Sequence, residues 1–270
     1  MGDTLIDLHS HILPAVDDGA SSIDDSLAIA RMAVDDGIEV MACTPHFMPG
    51  LYDNEATDIR HRIADLNQTL QQEGVPLVLV TGSDAHIRPD FLQCLRDGRI
   101  LTLHDSRYVL FEPPHNILPP RLEDLLFNVT VSGYVPILTH PERLKWIENS
   151  YVIFQNLAKS GVWMQITAGS LTGRFGKRPQ YWAQRMLAEG LVSILATDAH
   201  NVRSRPPLLR EGFEMAAAEL GQEEAEHLVF TRPLGVLEDR DPGTLPALHA
   251  PAALPEAKTS LWRRILGVHA

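Results

Sequence analysis

The sequence predicts an α/β barrel. Apolar, β-rich runs alternate with helical stretches, which implies parallel strands joined by crossover helices. Seven such repeats in about 235 residues fit a barrel better than an open doubly wound sheet. An open sheet would also carry a phosphate-binding glycine fingerprint after its first strand, where this chain has Asp7-Leu8-His9-Ser10-His11.

The first strand is the apolar run Leu5 to Leu8, ending at His9. Residues two apart on a strand share a face, so His9 and His11 point the same way, a spacing suited to gripping one metal ion. Asp18-Gly19 then puts a carboxylate on a loop that Gly19 lets bend sharply back over the strand end. The later strands begin near Glu39, Leu77, Tyr108, Tyr134, Val162 and Val192. Helical patterns separate them at Ile23 to Val34, Glu55 to Gln72, Pro89 to Arg96, Arg121 to Val131, Tyr151 to Lys159 and Tyr181 to Ala188. Two more follow, Leu208 to Leu220 and Glu223 to Val229.

The composition then shifts. Residues 241–255 read DPGTLPALHAPAALP, a Pro/Ala-rich linker with little to pack. Thr259 to Val268 has the pattern of a short helix, with Leu261, Trp262, Ile265 and Leu266 apolar and Lys258, Arg263 and Arg264 basic. It reads as a frayed tail or as a docking segment for a partner or membrane surface. The expected division is a barrel over 1–240 and a linker with an amphipathic end over 241–270.

The 270 residues are 44% hydrophobic and 21% charged, an ordinary soluble composition. The first residues lack a basic region followed by an apolar core, so no signal peptide is expected. No apolar run approaches the roughly 20 residues of a membrane span. Two cysteines, Cys43 and Cys94, make no disulfide framework and point to a reducing cytoplasm. A formal charge of −12 argues against non-specific nucleic-acid binding.

Barrel enzymes work at the C-terminal ends of their strands. Here those ends carry His9 and His11, His46, Asp84, Glu112, His140, and finally Asp198 with His200. Only the sixth, Gln165-Ile166-Thr167-Ala168-Gly169, lacks a strong ligand. Any one of these residues has a structural explanation, but chance does not fill six of seven strand ends while the strand bodies stay apolar. Buried carboxylates without cations would repel and carry a heavy desolvation cost. Imidazole and carboxylate without thiolate suit Mn, Fe or Zn and disfavour a closed structural zinc site. With Asp18 there are nine candidates, too many for one ion and enough for two or three.

Arginines follow two of these ends. Arg143 stands three residues past His140, and Arg203 and Arg205 stand just past His200. Guanidinium forks match phosphate oxygens bidentately, so beside a multimetal cluster they favour phosphoester hydrolysis.

The segments DLHSHILPAVDDGA, TPH, LFEPP, ILTHPER and ATDAHNVRSRPP, spread over residues 5–209, resemble the PHP (polymerase and histidinol phosphatase) superfamily. Within it they resemble the metal-dependent protein-tyrosine phosphatases of bacterial capsule and exopolysaccharide systems. The resemblance implies a distorted seven-stranded (β/α)7 TIM-like barrel holding three metals; from the donor set, Mn is the first choice. By resemblance, His9, His11, Asp84 and Asp198 would hold one ion, and Asp84, Glu112 and His140 the second. Asp18, His46 and His200 would hold the third, and Arg143 and Arg205 match the phosphate-binding arginines. The implied substrate is a tyrosine-rich segment of an autokinase that controls polysaccharide export. One position departs from the pattern: the family's third strand usually closes on Glu, and here stands the shorter Asp84, with His86 two residues on as a further ligand or a hydrogen-bonding neighbour. The resemblance says nothing of residues 241–270 or of oligomeric state.

A cysteine-based tyrosine phosphatase is excluded, because its Cys-x5-Arg loop would need arginine where Pro49 and Ile100 stand. An amidohydrolase commonly needs a bridging Lys at the fourth strand end, occupied here by Glu112. A small-molecule phosphatase of the histidinol-phosphate type and a catalytically silent metal-binding regulator are the remaining alternatives.

Overall fold

The computed structural model describes residues 4–248. The strands are β1 (Leu5–Ser10), β2 (Ile38–Cys43), β3 (His46–Phe47), β4 (Val78–Thr81), β5 (Asp84–His86), β6 (Tyr108–Glu112), β7 (Val135–Thr139), β8 (Trp163–Thr167) and β9 (Ile194–Ala196). They form a three-stranded sheet, β1-β2-β4, and a six-stranded sheet, β3-β5-β6-β7-β8-β9. Every ladder pair is parallel.

Seven runs were expected, and among the described residues there are nine strands because the second and third runs each break in two. The second breaks at Thr44-Pro45, where proline has no N–H to offer a ladder. The third breaks at Gly82-Ser83, where a Cβ on Gly82 would lie 2.9 Å from Thr44 Cγ2. The breaks are stitched to each other: the Asp84 amide donates to the Pro45 carbonyl at 3.1 Å. On the other side β1 meets the chain after β9. Ser10 and Ala199 form a parallel bridge, His11 N donates to Ala199 O at 2.8 Å, and Asp198 N donates to His9 O at 2.9 Å. Asp7, fully buried, reinforces that seam by accepting from the Thr197 amide and hydroxyl.

The helices between strands are α1 (Ile23–Asp35), α2 (Ala56–Gln72), α3 (Phe91–Arg96), α4 (Leu122–Val131), α5 (Ile147–Lys159), the short α6 (Ala168–Leu171) and α7 (Lys177–Ala188). Ser22 caps α1, accepting from the Asp25 amide at 3.2 Å, and Ile59, Ile63, Leu66 and Leu70 line the buried stripe of α2. Helices pack on the outer strand residues such as Leu5, Val109, Phe111, Leu138 and Ile166. A second, smaller cluster, including Ile6, Leu8, Tyr108, Leu110, Ile137 and Ile194, fills the space beneath the strand ends. Alternation along β6 therefore carries Tyr108 and Leu110 into that plug and leaves Glu112 at its top.

After β9 come α8 (Arg210–Leu220), α9 (Gln222–Glu226) and α10 (Arg232–Leu237). The linker expected from Asp241 onward does not begin there. Leu245 is buried against Gly235, and the buried Arg232 guanidinium donates to Pro246 O, Ala247 O and Glu224. Leu245 and the carbonyls that accept from Arg232 give this stretch something to pack, which its Pro/Ala content obscured. Residues 249–270, with the expected helix at Thr259 to Val268, lie outside the described residues. No helix of the described residues is long and apolar enough to cross a membrane.

Candidate metal centre

All nine expected ligands come together at the C-terminal ends of the strands. His9 Nε2 lies 3.3 Å from His11 Nε2, 3.3 Å from Asp198 Oδ1 and 3.5 Å from Asp84 Oδ2, and His11 Nε2 lies 3.4 Å from Asp198 Oδ1. Two donors each about 2.1 Å from one ion at the tetrahedral angle sit about 3.4 Å apart, and these separations match that edge. A second set is His46, His200 and Asp18, with Asp18 Oδ1 3.3 Å from the Nε2 atom of each histidine. A third is Glu112 and His140, with His140 Nε2 at 3.9 Å from Glu112 Oε1 and 4.0 Å from Asp84 Oδ2.

Asp84 stands between the sets, 3.5 Å from His9 and 3.6 Å from His46. It is fully buried and neither of its oxygens accepts a hydrogen bond. Asp198 Oδ1, His46 Nδ1 and His200 Nε2 are likewise buried without a hydrogen-bonding partner. Polar atoms in that condition are costly, and a divalent cation is the group that satisfies them together. The donor set thus fits transition ions.

The supporting groups fix which nitrogen faces inward. Gln165 Oε1 meets His9 Nδ1 at 2.8 Å, and Asp17 Oδ2 meets His11 Nδ1 at 2.7 Å, leaving both Nε2 atoms on the cluster. Asp17 also accepts from the Gly19 and His46 amides, locking the loop that carries Asp18. A Cβ on Gly19 would fall 2.1 Å from the His11 carbonyl, so only glycine lets that loop fold over the strand end. His140 and Asp198 hold left-handed backbone, φ 34° and 52°, which costs non-glycine residues about 1–3 kcal/mol each. Glu142, fully buried, braces the His140 turn by accepting from Thr167 N at 3.0 Å and Ser170 Oγ at 2.7 Å.

The charges are mutually adjusted. Burial opposes ionisation of Asp198, but His9, Arg205 and Arg143 beside it hold its carboxyl well below the usual range. His200 and His46 depress Asp18 in the same way. Burial would lower His9, yet the Asp198 and Asp84 carboxylates push it up to about 9. Burial and the Arg143 charge drive His140 well below its ordinary value, which keeps it a neutral donor.

Both expected arginines border this cluster. Arg143 Nη1 and Arg205 Nη2 donate to the same oxygen, Asp198 Oδ2, and the Arg143 guanidinium lies 4.7 Å from the centroid of the Phe175 ring. Arg203 is exposed. His86 is outside the ligand groups, its Nδ1 3.3 Å from Ile87 O.

Sequence reasoning missed Gln165, Asp17, His115 and Tyr52. The sixth strand end lacks a strong ligand, but Gln165 there occupies an inward position two residues after Trp163, which packs on the inner cluster. Asp17 was passed over for its neighbour Asp18. His115 lies 3.3 Å from Glu112 and Tyr52 stacks on His46 at 5.5 Å, and neither position carries a strand-end signal.

Residues 5–238 match the family described as capsular polysaccharide synthesis, CpsB/CapC. The chain is 37% identical over 219 residues to the tyrosine-protein phosphatase YwqE of Bacillus subtilis, covering 81% of this chain and 86% of the relative. It is 27% identical over 241 residues to the tyrosine-protein phosphatase CpsB of Streptococcus pneumoniae, covering 87% and 99%. It superimposes on a chain from the crystal structures of YwqE and CpsB, described as unique metal-dependent tyrosine phosphatases. There the TM-score is 0.87 at 34% identity, over 93% of this chain and 100% of that one. The phosphotriesterase homology protein of Escherichia coli, at TM-score 0.54 and 10% identity over 87% of this chain and 98% of that one, shares the fold alone.

Proposed function

This chain belongs to the CpsB/CapC family of capsular polysaccharide synthesis, and from that premise we propose that it is a metal-dependent phosphomonoesterase acting on protein phosphotyrosine. The observation that carries the reading is the meeting of Arg143 and Arg205 on one oxygen of Asp198, at the edge of a cluster whose central carboxylate has no hydrogen-bond donor. Anion-binding arms beside cation ligands suit a phosphoryl group.

In this reading His9, His11, Asp84 and Asp198 would hold one ion, Asp84 with Glu112 and His140 a second, and Asp18, His46 and His200 a third, with Mn preferred and Fe or Zn as alternatives. Such ions, when bound, polarise the phosphate and lower the pKa of water to the neutral range. The chain's own residues do the rest. Gln165 and Asp17 hold His9 and His11 in one tautomer, and the buried Asp84 spans neighbouring sets. Arg143 and Arg205 turn from Asp198 to the equatorial phosphate oxygens and neutralise the charge that develops there. A tyrosine phenolate leaves readily, so no dedicated acid is required.

The two sheets form one distorted seven-stranded barrel of the PHP type, a reading supported by the bridge of Ser10 to Ala199 and by the stitched breaks in the second and third runs. The physiological substrate is a tyrosine autokinase of polysaccharide export, met in the cytoplasm, and two free buried cysteines are consistent with that compartment. The deciding experiment is turnover by the Mn-loaded protein of p-nitrophenyl phosphate, a phosphotyrosine peptide and histidinol phosphate. The peptide should be preferred to histidinol phosphate. The reverse preference would replace this reading with a small-molecule phosphatase, and no turnover of any would make the chain a silent regulator.

A further inference from the structure

We propose that His115 is a ligand of the second ion, acting with Glu112 and His140. The inference rests on the metal-dependent reading above. His115 follows β6 on the loop Pro113-Pro114-His115, three residues past Glu112. Its Nε2 lies 3.3 Å from Glu112 Oε1, and its ring centroid lies 5.1 Å from that of His140. Glu112, His115 and His140 each offer one atom within 4.8 Å of the others. The 3.3 Å separation equals that between His9 and Asp198, the edge expected of two donors on one ion.

The short bridge explains why this position takes a further donor. Asp84 Oδ2 is 3.5 Å from His9 and 3.6 Å from His46, but 4.0 Å from His140. The carboxylate therefore leans toward the other two sets. His140 also stands 3.9 Å from Glu112, so without His115 the second set has the widest edges of the centre. An imidazole at 3.3 Å from Glu112 narrows it and adds a ligand without adding charge. The resulting nitrogen-rich set favours a transition ion over Mg.

The loop is held for this purpose. The His115 carbonyl accepts from Lys145 N at 2.8 Å, and the Pro114 carbonyl accepts from Trp146 Nε1 at 2.9 Å. Two consecutive residues after β6 are thus fastened to the segment after β7 that carries His140. Two prolines before His115 restrict the backbone further. The His115 side chain is 35% exposed, so this edge of the cluster borders solvent.

The test uses full-length protein purified with Mn²⁺, desalted, with ions counted by elemental analysis and their extraction by EDTA followed in time. His115→Ala should retain one ion fewer than wild type, or release one at least about 10-fold faster. His115→Gln should do the same while preserving bulk, Glu112→Gln should lose that ion, and His86→Ala should match wild type. If His115→Ala and His115→Gln match wild type in count and rate while Glu112→Gln loses an ion, His115 is no ligand and the metal reading stands. A wild type holding fewer than two ions would overturn both.

Discussion

Gln165 fixes the orientation of His9. Its amide nitrogen donates to Ile166 O at 2.9 Å, so its carbonyl oxygen is the atom turned toward His9 Nδ1 at 2.8 Å. That contact reserves Nδ1 for the proton, so an ion bound to His9 would meet Nε2. Gln165→Leu removes that acceptor within the same volume class. Metal affinity or kcat should fall about 10- to 100-fold, read by Mn²⁺ titration and steady-state kinetics. Unchanged affinity and kcat would show that His9 needs no such partner.

Replacing Arg143 or Arg205 by Ala should lower kcat/KM on p-nitrophenyl phosphate by about 10²-fold or more, with metal content unchanged. Arg203→Ala, at an exposed position, should fall within about 2-fold of wild type. Loss of ions in either of the first two variants would assign those arginines to structure instead of phosphate.

Asp84→Asn should empty one or more ion positions and abolish most activity, because it removes charge from a carboxylate that faces His9, His46 and His140. His86→Ala should keep metal content and much of the activity. Elemental analysis of both variants decides; the opposite ordering would move the ligand to His86.

Stripping the ions with chelator should abolish turnover and lower the melting temperature, since the buried carboxylates then lose what neutralises them. Mn²⁺ added back should restore both. A melting temperature insensitive to the chelator would mean that the ions do not hold this part of the fold.

Leu245→Ala should cost about 2 kcal/mol and lower the melting temperature by about 5 °C, with kcat unchanged, because Leu245 packs against Gly235 in the inner apolar cluster, which includes none of the ligand candidates. Truncation after Arg240 should be at least as damaging, since it also strips Arg232 of two carbonyl partners. Thermal unfolding of the two forms checks both.

The sequence made the strand ends legible because each joins an apolar run to a ligand type, and those nine residues meet in the structure. The broken second and third runs were not legible, because Thr44-Pro45 and Gly82-Ser83 look like ordinary strand ends until the chains are seen to touch. Gln165 was hidden by its chemistry: a neutral amide is no strong metal ligand, and its importance lies in the tautomer it imposes. His115 was hidden by its place on a proline-bounded loop, whose position depends on hydrogen bonds to Lys145 and Trp146 that no local pattern encodes. Leu245 was masked by its neighbours, which read as spacer although the buried Arg232 awaits two of their carbonyls.

The sharing of Asp198 Oδ2 by Arg143 and Arg205 has a kinetic consequence. The carboxylate is a resident rival for the incoming anion, always present at intramolecular concentration. In the proposed mechanism each turnover would begin by displacing it and end when it reclaims the two guanidinium groups, the exchange by which inorganic phosphate would leave. Substrate and product meet the same rival, so phosphate should inhibit p-nitrophenyl phosphate turnover only weakly; tight inhibition by phosphate would show that Asp198 offers no such competition.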